Sequence, residues 1–203
     1  MPPTTTLTPL GVAALALLAE RPMHPYEMYQ TLVQRSEDRV VKVRPGSLYH
    51  TVDRLAGQGL VRATGTEREG NRPERTTYEI TEQGTLALSE RIAGILGTPS
   101  NEYPEFPLGL GQAHNLPVET VIRLLRQRVE LVRADLEDLE QGIRSIEAKQ
   151  LPRKYWIDVQ YTRDLSQVEA NWLESLIDEL ESGVLSWSEE KHPLERKDTW
   201  KKN

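Results

Sequence analysis

The 203-residue chain contains no cysteine. That excludes disulfide scaffolds, thiol catalysis, cysteine-ligated zinc and thiol redox sensing. It also lacks any run near the ~18 apolar residues that a membrane span needs. The longest apolar stretch, Leu10 to Leu18, is followed at once by acid and proline. No basic segment precedes it, so a secretory leader is not expected. These absences fit a reducing cytoplasm. An excess of positive charge is lacking too: the net charge is −6, which argues against a general polyanion binder.

Catalytic signatures are missing. The four histidines (His24, His50, His114, His192) are scattered, and none has a second histidine at i+3 or i+4. There is no HExxH, no phosphate-cradling glycine loop and no GxSxG elbow. Gly109-Leu110-Gly111 follows no strand and opens no helix. Acid pairs such as Glu137 with Asp138 and Asp178 with Glu179 are sequence neighbours. Neighbours on a helix diverge by about 100° and do not form a paired carboxylate site. No catalytic residue, metal ligand or cofactor is expected.

The distribution of charge is more telling than its sum. Residues 1–97 carry 11 Lys and Arg against 11 Asp and Glu, whereas residues 98–203 carry 14 against 20. Between Arg39 and Arg75, eight bases face four acids. A small basic island on an acidic chain points to a localised anionic partner.

The first 97 residues read as three short helices, a hairpin and a fourth helix. Thr8-Pro9 opens the first helix, with Leu10, Ala14, Leu17 and Leu18 at helical spacing, and Arg21-Pro22 closes it. The second starts near His24-Pro25 and runs to about Arg35, with Tyr26, Tyr29, Leu32 and Val33 as its inner stripe. A short strand is expected from Arg39 to Val43. The third helix, Gly46 to about Gly57, buries Leu48, Val52 and Leu55. Gly57 and Gly59 supply its stop. Two strand-like runs, Leu60 to Arg68 and Arg75 to Thr81, flank a turn-rich segment. The fourth helix begins at Thr81-Glu82-Gln83-Gly84, with apolar Leu86, Leu88, Ile92, Ile95 and Leu96. This order is that of a winged helix-turn-helix, and so sparse a hairpin needs helices to cover one face; a generic small α+β domain is the competing reading.

Residues 98–117, rich in proline and glycine, are expected to form a connector without regular structure. From Val118 the pattern becomes heptad. Val118, Ile122, Leu125, Val129, Val132, Leu136, Leu139, Ile143 and Ile146 alternate steps of four and three. A second long helix from about Lys154 to Leu180 carries Tyr161, Leu165, Val168, Trp172, Leu176 and Leu180. The aliphatic seam needs a cover, and a second copy of the chain is the simplest; an intramolecular helical hairpin is the alternative. Residues 118–188 are therefore read as a helical dimerisation domain, and 189–203 as a polar, disordered tail. The fold class is mainly α with a small β-hairpin (α+β).

The chemistry-bearing positions are those of a nucleic-acid reader. Ser47, His50 and Arg54 lie opposite the buried stripe of the third helix, at a length suited to a major groove. Arg54 can take a guanine edge or a phosphate, and Ser47 can reach DNA or cap the helix. Tyr49 can touch the sugar-phosphate backbone or pack on the second helix. Lys42 and Arg44 lead into this helix. Arg68, Asn71, Arg72 and Arg75 surround the hairpin turn, where a wing meets phosphates or the minor groove. Tyr155, Trp156, Tyr161 and Trp172 are candidate walls of an effector pocket.

Pro22-Met23-His24-Pro25-Tyr26-Glu27-Met28, Gly46-Ser47-Leu48-Tyr49, Arg54-Leu55, Gly59-Leu60-Val61 and the run Pro73 to Gly84 together resemble the PadR family of transcriptional regulators over about residues 8–97. The long C-terminal helices resemble the dimerisation region of its longer members. Pro25 and His50 depart from the usual Gly and Pro, the second on the reading face. The resemblance implies a homodimeric DNA-binding regulator, commonly a repressor on a pseudo-palindromic double-stranded operator, released by a small aromatic or hydrophobic effector. The competing reading is a winged-helix protein–protein module that does not touch DNA.

Overall fold

The computed structural model describes residues 7–67 and 75–187. The chain divides into two compact units, Met1–Glu102 and Tyr103–Asn203. No helix among the described residues is long and apolar enough to cross a membrane.

The first unit opens with α1 (Pro9–Glu20). Thr8 caps it, its Oγ1 accepting from the Gly11 N–H at 3.2 Å, and Pro9 suits a position whose N–H needs no partner. Its buried residues include Leu10, Ala14, Leu15, Leu17 and Leu18. Next comes α2 (Pro25–Gln34), capped by His24, whose Nδ1 accepts from the Tyr26 N–H at 3.1 Å. The inner stripe of α2 is Pro25, Met28 and Leu32: of the expected residues Leu32 is buried, Tyr26 and Val33 are exposed and Tyr29 is only half-buried. Met28 and Leu32, one turn apart, aim at the core, and tyrosine tolerates water at its hydroxyl end.

The expected strand at Arg39–Val43 is absent. A 3-10 turn, Glu37–Arg39, ends where it would begin, and residues 40–44 follow without regular structure. A strand needs a ladder partner, and one outer edge of the hairpin is already taken. Met23 pairs with Tyr78 there through two backbone hydrogen bonds of 3.0 Å.

In α3 (Pro45–Gly57), Leu48, Val52 and Leu55 are fully buried, as the spacing predicts. Its C-terminus closes as a Schellman motif. Leu60 N–H donates to the Leu55 carbonyl at 3.0 Å and Gly59 N–H to Ala56 at 2.9 Å. Gly59 takes the required positive φ of 72°. Strands β1 (Val61–Glu67) and β2 (Arg75–Ile80) pair antiparallel, with a bulge between Ala63 and Gly65. Val61 and, partly, Tyr78 and Ile80 turn into the helical core.

Thr81 then caps α4 (Glu82–Gly97). Its Oγ1 accepts from the Gly84 N–H at 3.1 Å and donates to the Gly59 carbonyl at 2.7 Å. Of the expected apolar stripe only Leu88 is buried; Leu86, Ile92, Ile95 and Leu96 are exposed, because the core of this unit ends at Leu88.

In the second unit the expected connector is partly helical. A short helix, α5 (Glu105–Gly111), and a 3-10 turn, Ala113–Asn115, occupy it. Pro104 and Pro107 do not prevent this. They sit at the cap and in the first turn, where a missing N–H costs nothing. Phe106 and Ala113 pack into the core of the unit, and the Arg128 guanidinium lies 3.6 Å over the Phe106 ring.

Two long helices dominate this unit: α6 (Val118–Ala148) and α7 (Ile157–Glu181), the latter preceded by a 3-10 turn at Arg153–Tyr155. They form an antiparallel hairpin. Arg126 pairs with Glu181, and Arg133 pairs with Glu174 at 2.6 Å, seven residues on along α6 and seven back along α7. This hairpin covers much of the α6 seam within one chain. Leu125, Leu136 and Leu139 are buried, and Val118, Ile122, Val129, Val132, Ile143 and Ile146 are half-buried. Six of its nine residues keep part of their surface exposed. The opposing α7 residues are Ala170, Leu173, Ile177 and Leu180, where small Ala170 lets the backbones approach. The stripe expected for α7 is split. Leu180 is buried, but Tyr161, Leu165, Val168 and Trp172 are exposed on the other side of the helix. The Trp187 indole closes the hairpin base by donating to the Leu116 carbonyl at 3.0 Å. The tail from 189 lies outside the described residues.

Candidate nucleic-acid interface

The first unit presents α3 as an amphipathic rod. One face supplies the core. The other exposes Ser47, Tyr49, His50, Asp53 and Arg54. Ser47, His50 and Arg54 fall at i, i+3 and i+7 and so share a side. Ser47 is not the cap. The cap position is Arg44, which makes no side-chain bond there, and Ser47 sits in the first turn. Its carbonyl accepts from the buried Thr51 hydroxyl at 2.8 Å, and Ser47 itself is exposed. Lys42 and Arg44 are exposed just ahead of the helix.

Tyr49 leans toward the start of α2, where its ring meets His24 edge-on with centroids 5.8 Å apart. Arg54 leans the other way, its Nη2 donating to Thr8 Oγ1 at 2.9 Å. His50 stands between them, one turn before Arg54 and exposed. The face therefore has a central histidine and two flanks, each anchored on a different helix.

Asp53 is a member of this face that the charge pattern did not single out. It lies three residues after His50, a spacing that could have revealed it. Burial, with a smaller contribution from the negative charge of Asp53, holds the Tyr78 phenol above its ordinary value. The basic island is also partly neutralised. Arg62 pairs across the strands with Glu79, its register partner. Arg68, Asn71 and Arg72 lie outside the described residues. Arg75 opens β2 opposite Glu67.

The aromatic side chains expected to wall a pocket do not converge within one chain. The Trp156 indole donates to the Leu151 carbonyl at 3.1 Å. Tyr155, Tyr161 and Trp172 are exposed. Eleven residues of helix separate Tyr161 from Trp172, roughly 16 Å along α7. A concavity of about 570 Å³ in this unit is instead lined mostly by charged side chains, among them Arg123, Arg126, Glu130 and Glu181, with Ile122 and Gln127.

This architecture has counterparts among solved structures. Bacillus subtilis PadR in complex with operator DNA aligns with a TM-score of 0.73 at 18% identity, over 84% of this chain and 97% of that one. The same protein in complex with p-coumaric acid gives 0.70 at 17% identity, over 85% and 98%. The PadR-like transcriptional regulator BC1756 from Bacillus cereus gives 0.63 at 16% identity, over 85% and 98%. At such identities the similarity is one of fold. No curated protein sequence matches the chain. The family model "Transcriptional regulator PadR-like family" matches residues 14–90, which run from the middle of α1 through α3 and the hairpin into α4. Residues 14–90 of this chain are therefore a domain of the transcriptional regulator PadR-like family.

Proposed function

We propose that this chain is a sequence-specific transcriptional repressor that grips a pseudo-palindromic operator as a homodimer and lets go when a small aromatic or hydrophobic molecule binds. The observation that carries the reading is α3, whose buried stripe leaves Ser47, Tyr49, His50 and Arg54 facing outward behind Lys42 and Arg44. Such a row suits hydrogen bonding in a major groove, with phosphates engaged at its edges. Arg68, Asn71, Arg72 and Arg75 extend the contact along the wing. A relative of the same fold was solved on operator DNA, which supports this choice over a protein–protein module.

The dimer is best supported by α7. Ile157, Tyr161, Leu165, Val168 and Trp172 form an exposed apolar stripe on the side of α7 away from its buried residues. A second copy of α7 is the partner that matches it in length and chemistry. The α6 seam backs this interface. An effector pocket built from Tyr155, Trp156, Tyr161 and Trp172 requires that second chain, because Tyr155 and Trp156 precede α7 and Trp172 lies about 16 Å along it from Tyr161. That a relative was solved with p-coumaric acid supports an aromatic effector.

A band-shift titration of the purified chain on duplex DNA at increasing salt tests the reading. Binding that weakens steeply with salt is expected. Absence of binding at low ionic strength contradicts it.

A further inference from the structure

Arg54 is joined to the start of α1 across 46 residues of sequence by the bond from its Nη2 to Thr8 Oγ1 at 2.9 Å. That oxygen already accepts from the Gly11 N–H, so one hydroxyl caps α1 and holds the guanidinium. A Cβ at position 11 would crowd the Thr8 hydroxyl, 3.3 Å from its Oγ1, and stand in ordinary contact with Arg54 Nη2 at 3.9 Å. Electrostatics does not explain the placement. The start of a helix carries partial positive charge and repels a cation, and α1 has no acid in its first turn. Among the described residues no carboxylate pairs with Arg54. The hydroxyl is what sets this guanidinium in place, and Arg54 is otherwise exposed, its other donors open to solvent.

We propose that Thr8 is a positioning residue for DNA binding: it fixes Arg54 at the flank of α3 so that the free donors of the guanidinium meet a backbone phosphate rather than a base edge. This rests on the reading of α3 given above. A side chain tethered to a second helix addresses the edge of the groove, and phosphate contacts are what set register there. A mobile arginine would have to be ordered on binding; this one is ordered beforehand.

The test is anisotropy binding to a mixed-sequence duplex of roughly 30 base pairs, enough for two half-sites one helical turn apart. Wild type, Thr8→Val, Thr8→Ser, Arg54→Ala and the Val/Ala double variant are titrated at several salt concentrations. Arg54→Ala and Thr8→Val are each expected to weaken binding about fivefold and to flatten the log–log salt slope by about one. Thr8→Ser restores both. In the Arg54→Ala background, Thr8→Val has no further effect. An equal loss in both backgrounds overturns the proposal, since Thr8 then acts only as a cap; so does an unchanged Thr8→Val. If Arg54→Ala binds as wild type, the reading of α3 as the DNA-facing helix fails as well. Should Thr8→Val fail to fold, Thr8→Asp decides. Aspartate caps α1 at least as well but neutralises Arg54, so thermal stability is kept while affinity falls. Unchanged affinity in Thr8→Asp overturns the proposal.

Discussion

The carbonyl oxygen of Leu60 occupies the space that any side chain at Gly84 would need. A Cβ at position 84 would lie 2.0 Å from it and 2.8 Å from the Ile80 side chain. Both neighbours are held. Leu60 caps α3 and accepts from the Thr81 N–H at 3.0 Å, and Ile80 ends β2. The entry of α4 is thus locked onto the junction between α3 and β1. Gly84→Ala is expected to destabilise the first unit by about 2 kcal/mol or more despite the better helix propensity of alanine. Urea unfolding followed by circular dichroism measures it. An unchanged midpoint would mean that this junction is looser than described.

Asp53 places a carboxylate on the face proposed to meet DNA. Asp53→Asn removes a like-charge repulsion with phosphates and should strengthen binding to any duplex about two- to threefold at low salt, with less gain at high salt. His50→Ala is expected to leave mixed-sequence binding nearly intact and to change which base is preferred at one position of each half-site. Titration against a panel of single-base variants separates the two effects.

Much of this was legible from residue types and spacing. The buried stripe of α3 follows from Leu48, Val52 and Leu55, and the four helix starts of the first unit from Thr8, His24, Pro45 and Thr81. What could not be read was the choice between two stripes of similar apolarity on one helix. In α7 the sequence offers Tyr161, Leu165, Val168 and Trp172 as readily as Ala170, Leu173, Ile177 and Leu180. Only the close approach that Ala170 permits selects the second set for α6. The same holds for α2, where Met28 rather than the tyrosines fills the core. Proline content misled at residues 98–117, because Pro104 and Pro107 fall where a helix tolerates them. The tether between Thr8 and Arg54 was invisible, since no spacing rule links residues of different helices.

The two faces of α7 give opposite expectations for one kind of substitution. Trp172→Glu and Val168→Glu lie on the exposed stripe and should yield a folded monomer. Leu173→Glu buries a charge in the helical hairpin and should unfold the second unit, at a cost of several kcal/mol. Light-scattering mass with circular dichroism distinguishes the outcomes. A Trp172→Glu variant that keeps the mass of the wild type would remove α7 from the dimer interface.

Two exposed ion pairs brace α2: Glu20 with Arg35, and Glu27 with Arg21, each at 2.5 Å. Hydrogen bonding to Arg35 holds the Glu20 carboxyl below its ordinary value, and Arg21 does the same for Glu27. Carboxyls lowered on folding add stability that is fully present above their unfolded value and is lost as pH falls through the folded one. The first unit should therefore lose stability below the ordinary glutamate value of 4.5. Solvent screening limits the Glu20–Arg35 pair to about 0.5 kcal/mol. Glu20→Gln should flatten this acid limb in thermal melts at pH 3 to 6, a range of about three units around the glutamate titration.

The central claim is that two copies of α3 read one duplex together. Selection of bound sequences from a randomised duplex library tests it most directly. The expected result is an enriched inverted repeat whose half-sites are centred about 10 base pairs apart, one helical turn. An enriched single, non-repeated site, or no enrichment at all, would contradict it.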